Sequence, residues 1–124
     1  MRRILLIIAI IFVSYAAYIL VITARNDFEV MELRAKRLYD AGKYADAIEL
    51  IKKDRAEFEK TLGKQHPWVA LSSDVLARLY IAAGDYKKAT ECCEQALAIQ
   101  EGNPQSKPKD VVATLIMLAE AYIA

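Results

Sequence analysis

A chain of 124 residues has room for one small domain. Its 17 basic and 16 acidic side chains leave a formal net charge of +1, too even a balance for a nucleic-acid-binding surface built on charge. The hydrophobic content of 56% is concentrated ahead of Arg25; Arg2 and Arg3 are the only charges there, so the chain from Arg25 onward has an ordinary soluble composition with acidic groups in excess by one.

Ile4 to Ile22 runs without a charge. As a helix it is about 28 Å long, close to the hydrocarbon thickness of a bilayer. Three readings compete. An uncleaved signal anchor over residues 1–24 fits the length best. A cleaved signal peptide has a shorter apolar run, though Ser14-Tyr15-Ala16 offers a small-x-small site. A buried core helix is seldom this long and uniform. Arg2 and Arg3 favour a cytoplasmic N-terminus, while Arg25, Arg34, Lys36 and Arg37 on the far side weigh against it. The expectation is a single-pass membrane protein with the remaining residues outside the cytoplasm, in the periplasm if bacterial. Two free cysteines mildly prefer a reducing compartment.

Asn26 or Asp27 is a candidate N-cap for a helix running to about Ala41, unless that helix continues the apolar one. Gly42 ends it and Lys43-Tyr44 starts the next. Ala47, Ile48, Ile51, Phe58 and Leu62 form an apolar stripe at helical spacing. The opposite face carries Lys52, Lys53, Asp54, Arg55, Glu57, Glu59 and Lys60. It reads as a solvated surface with pairs such as Glu49–Lys53, or else as a headgroup or partner patch. Leu62-Gly63 looks like a helix end that needs positive φ, and Pro67 suits the first turn of a third helix reaching Ala83. His66 beside it reads as a cap or packing residue, and Trp68 as packing between helices or a partner anchor. Asp85 caps a fourth helix that ends near Gln100-Glu101 and is stopped by Gly102-Asn103-Pro104. A polar connector spans 102–109. Asp110 then caps a last helix whose surface is apolar nearly all round, which calls for a covering partner.

Cys92 and Cys93 are adjacent on a predicted helix, about 100° apart around its axis, so a disulfide between them opposes the helix geometry. They read as small buried side chains; a redox or metal role is the alternative, and zinc needs more ligands than one distant histidine supplies. No Gly-rich phosphate loop, metal-ligand spacing or nucleophile–base pair stands out, so neither a catalytic site nor a cofactor is expected.

Part of the chain repeats with a fixed period. Ala35, Leu38, Gly42, Tyr44 and Ala47 correspond to Ala77, Tyr80, Gly84, Tyr86 and Ala89, and Leu76, Ala77 and Tyr80 return as Leu118, Ala119 and Tyr122. A constant spacing in this range signals stacked helical units. With Ala96 in the fourth helix, the pattern resembles the tetratricopeptide repeat (TPR) family. The 42-residue spacing and the Leu62-to-Ala70 connector are similar to its kinesin-light-chain-like subclass. Arg34 and Asp54 stand where that family usually has apolar or small residues.

The resemblance implies an all-α fold: a short α-solenoid of antiparallel helix pairs, following the one transmembrane helix read from the apolar run. Residues 25–124 would form the TPR domain, with repeats at about 28–63 and 67–102 and a half repeat at 110–124. The resemblance also implies a concave groove lined by the first helix of each repeat. Its positions here are Glu29, Glu32, Lys36 and Tyr39; Leu71, Asp74, Arg78 and Ile81; and Ala113, Ile116, Glu120 and Ile123. Lys36 and Arg78 occupy equivalent positions. They are available to a peptide's carboxylates or carbonyls, with Ile81, Ile116 and Ile123 taking an apolar side chain, or they pair with Glu32, Asp74 and Glu120. Related repeats carry an Asn where this chain has Glu32, Asp74 and Ile116, so neither a terminal-carboxylate clamp nor a backbone clamp transfers directly. The expected role is a non-enzymatic, membrane-anchored adaptor for a protein or peptide partner, with residues 4–22 in the membrane and no nucleic acid. The alternatives are a homo-oligomer assembled through the last helix, and a piece of a longer TPR protein.

Overall fold

The structure, a computed structural model, describes residues 1–104 and 106–124, and for residue 24 the backbone alone. Five helices follow one another: α1 (Arg2–Asp40), α2 (Tyr44–Leu62), α3 (Pro67–Ala83), α4 (Tyr86–Glu101) and α5 (Pro108–Ile123). No strand occurs among the described residues. Two compact units result, Met1–Val30 and Met31–Ala124.

In the first unit every side chain from Ile4 to Ile22 is exposed. By length and composition this stretch suffices to cross a membrane. Thr23 returns its hydroxyl hydrogen to the Ile19 carbonyl at 2.8 Å, and Arg25 pairs with Glu29 at 3.4 Å one turn on. Asn26 and Asp27 do not cap a new helix. The backbone stays helical through them, because no Gly or Pro interrupts it and either residue is tolerated inside a helix at a cost of tenths of a kcal/mol.

In the second unit the period in the sequence becomes a repeated bond pattern. Gly42 takes φ +73° and Gly84 φ +82°. The Gly42 N–H donates to Tyr39 O at 3.0 Å and the Lys43 N–H to Leu38 O at 2.8 Å; the Gly84 N–H donates to Ile81 O at 3.1 Å and the Asp85 N–H to Tyr80 O at 2.8 Å. Both are the same paired C-terminal closure, which satisfies two orphan carbonyls and needs a left-handed residue. Small side chains sit at the helix crossings: Ala35, Ala47, Ala77, Ala89 and Ala96 are all buried, and they let neighbouring helices approach. Around them Met31, Ile51, Phe58, Val69, Leu76, Leu79 and Tyr80 fill the core. Each helix from α2 onward packs on the next, and α3 also touches α5, as stacked helix pairs require.

Start signals vary. His66 caps α3, its Nδ1 accepting from the Trp68 N–H at 3.1 Å, and Asp85 caps α4 by accepting from the Lys88 N–H at 3.2 Å. Asp110 is not the cap of α5. Pro108 occupies the first turn with Lys107 extended before it, so the helix begins ahead of Asp110, which lies inside its first turn. The expected Glu49–Lys53 pair gives way to Glu49–Lys52 at 3.8 Å.

Candidate functional site

Within the second unit the first helix of each repeat lies beside its counterpart. Ser72 Oγ on α3 is 3.8 Å from Met31 Sδ on α1, and α3 meets α5. Among the side chains read from the sequence as lining the groove, Glu32, Lys36, Arg78, Ile116 and Glu120 are exposed. Tyr39 is 44% exposed, its ring 5.3 Å from that of Tyr44, and Ile81 is half-buried. Lys36 and Arg78 form no ion pair within 4.0 Å among the described residues, so their donors are not spent on Glu32, Asp74 or Glu120. A strip carrying two unpaired cations beside aromatic and aliphatic surface suits a peptide with acidic and apolar groups.

Asp74 does not share that exposure. It is 5% exposed, and its two carboxylate oxygens lie 2.8 and 2.9 Å from Thr114 Oγ1 on α5. Gln100 on α4 donates its Nε2–H to Thr114 Oγ1 at 3.1 Å and, more weakly, to Asp74 at 3.5 Å. Burial pushes the Asp74 carboxyl up to about 6, against the pull of the Thr114 bond and the Arg78 cation; the Asp110 carboxylate adds to the upward push and Gln100 opposes it. Asp74 therefore ties α3 to α4 and α5 instead of facing a ligand. Thr114 and Gln100 escaped the sequence reading, though each is a polar residue on an otherwise apolar helix face, which is the available signal.

Arg55 also departs from expectation. On the charged face of α2 it is half-buried, and its Nη1 donates to Ser73 Oγ and Gln95 Oε1, both at 3.2 Å. It clips the second helix of repeat one to both helices of repeat two. Trp68 meets Phe58 edge-on at 6.2 Å and His66 at 5.0 Å, so it packs at the junction of α2 and α3. Cys92 and Cys93 are buried free thiols. Burial raises both, Cys93 to about 11, which keeps it protonated and a poor nucleophile at neutral pH.

On α5, Thr114, Met117 and Ala121 face the core, while Val112, Leu115, Ile116, Tyr122 and Ile123 are bare. The contrast with α3 is one of cover. Ala70, Ser73, Ala77 and Tyr80 are buried on α3; their counterparts one period on, Val112, Leu115, Ala119 and Tyr122, are exposed.

The tetratricopeptide repeat family matches this chain over residues 28–102. Two crystal structures of nearly identical TPR-like repeats from a Podosopora anserina protein described as a putative kinesin light chain, one carrying a single substitution, are each 34% identical to it with a TM-score of 0.65. The alignments cover 80% of this chain and 45% of theirs, so the chain spans less than half the length of those structures. No curated protein matches. TPR repeats generally serve as protein-interaction scaffolds. With the family match covering more than half of the chain, and with the glycine closure at Gly42 recurring at Gly84, the chain belongs to the tetratricopeptide repeat family.

Proposed function

We propose that this protein is a membrane-anchored TPR adaptor. Residues 4–22 hold it in the bilayer with the N-terminus in the cytoplasm, and the repeats bind a protein or peptide outside it. The observation that carries the reading is the pairing of two features on one chain. One is an exposed apolar helix of membrane-spanning length; the other is a strip of exposed groups on the first helices of the repeats, led by Lys36 and Arg78. Tethering keeps the two partners at high local concentration, so a shallow strip of modest affinity is enough. The test is topology. A reporter active only outside the cytoplasm, fused after Ala124, should be active, its cytoplasm-only counterpart silent, and the N-terminus intact. The reverse pattern would move the repeats, and their partners, inside.

A second reading has its own support in the bare face of α5, which invites self-assembly through that helix. Sizing of the full chain in a non-ionic detergent separates the two. A monomer leaves the adaptor reading standing alone, whereas a dimer dispersed by Leu115→Glu favours assembly.

A further inference from the structure

Asp74, Gln100 and Thr114 form a buried polar knot where α3, α4 and α5 meet, and its acceptors compete for few hydrogens. Thr114 Oγ1 has one hydrogen to give. Three acceptors lie within reach of it: the two Asp74 oxygens at 2.8 and 2.9 Å and the Asp110 carbonyl at 3.0 Å. Gln100 spends both Nε2 hydrogens on Thr114 and Asp74, while its own Oε1 is buried with no partner. An ionised Asp74 only accepts, so in that state its two oxygens compete with each other and with the Asp110 carbonyl for the single Thr114 hydrogen. A buried carboxylate without a cation within ion-pair distance is also costly. One added proton on Asp74 relieves both defects: the acid donates to Thr114, which is then free to donate to the Asp110 carbonyl.

We infer that Asp74 is a proton-operated latch for α5, closed when its carboxyl is protonated and loosened when it is ionised. Few anchors compete with it: Thr114, Met117 and Ala121 are the buried residues of α5, and the exposed Tyr122 hydroxyl donates to Glu94 on α4 at 3.1 Å. The charged and titratable groups around Asp74 come from each packed helix. Arg78 on α3 favours ionisation; Asp110 on α5 opposes it; on α4 the neighbour is Cys93, which feels the Asp74 charge and stays a neutral thiol at these pH values. When α5 leaves, Asp74 meets water and returns towards its ordinary value of 3.8 from about 6. Docking therefore takes up a proton. Its extra stability is complete below the ordinary value and is lost as pH rises through the docked one. The gap allows about a 100-fold change in the docking equilibrium.

The test uses the full chain in a non-ionic detergent. Hydrogen exchange of residues 111–123 is measured from pH 4 to pH 7.5, corrected for intrinsic rates and referred to α3. In the natural chain the relative protection of α5 should fall by up to about 100-fold as pH rises, most steeply between 4 and 6. Asp74→Asn should leave α5 protected to the same degree throughout, while Asp110→Asn keeps the pH dependence. Constant protection in the natural chain, or an unchanged profile in Asp74→Asn, overturns the latch. Should Asp74→Asn not fold, the Asp74 carboxyl carbon is titrated by NMR in the natural chain. A midpoint above 5 supports the latch, and one at or below 5 overturns it.

Discussion

Gly84 sits at φ +82° with no atom within 4 Å of where a Cβ would stand, so a side chain there meets backbone strain and nothing else. Gly84→Ala should lower the stability of the repeat unit by about 1–2 kcal/mol, the cost of a left-handed L-residue. Gly102 provides the contrast. Its φ is −80°, and the nearest contact of an added Cβ is an ordinary 3.4 Å, so Gly102→Ala should stay within about 0.5 kcal/mol of the parent. Thermal melts of both variants decide it, and equal losses would contradict the glycine closure. His66 adds a pH-dependent case. Its Nδ1 must carry a lone pair to accept from the Trp68 N–H, and partial burial holds its pKa below the usual 6.5. The folded chain thus favours the neutral ring. The contribution is complete above 6.5 and is lost as pH falls through the lower folded value. His66→Ala should cost about 1 kcal/mol at pH 7.5 and less at pH 5, with His66→Asn recovering most of the loss at both.

At the scale of helices, what was legible in the sequence was whatever local chemistry dictates. Gly42, Gly84 and the alanines recurring with the same period announce the turns and crossings, and Pro67 and Asp85 mark where α3 and α4 begin. Asn26-Asp27 reads as a start in the sequence, but a cap residue signals a boundary only when something else breaks the helix, and nothing does. Pro108 outcompetes Asp110 for the same reason in reverse: proline fixes the entry to the helix, whereas aspartate merely favours it. The candidate strip was read by register alone, from equivalent positions on stacked helices, and Asp74 drops out of it. The knot was not. Asp74 lies 26 residues from Gln100 and 40 from Thr114, and no local pattern distinguishes a groove carboxylate from one roofed by a later helix. Arg55 was hidden in the same way, as one charge in a densely charged run on α2, two of whose partners come from the next repeat.

For the whole molecule, the two exposed apolar surfaces make different demands on the solvent. The face of α5 is a strip on a packed helix, which one neighbouring helix can cover. The side chains of residues 4–22 are exposed all round the helix, and covering them with protein would take several neighbours at once. A bilayer meets that demand in one step, because it surrounds a single helix without having to be complementary to it. The full chain should stay with the membrane fraction under alkaline carbonate, which strips peripheral proteins, and should be released only by detergent. Phe12 lies near the middle of the apolar run, where an arginine costs about 2.5–3.5 kcal/mol on insertion. Phe12→Arg should therefore shift a measurable share of the chain to the carbonate-soluble fraction, while Arg3→Leu at the edge should not. Extraction of the natural chain by carbonate alone would mean that residues 4–22 are covered by protein, and the adaptor would lose its tether.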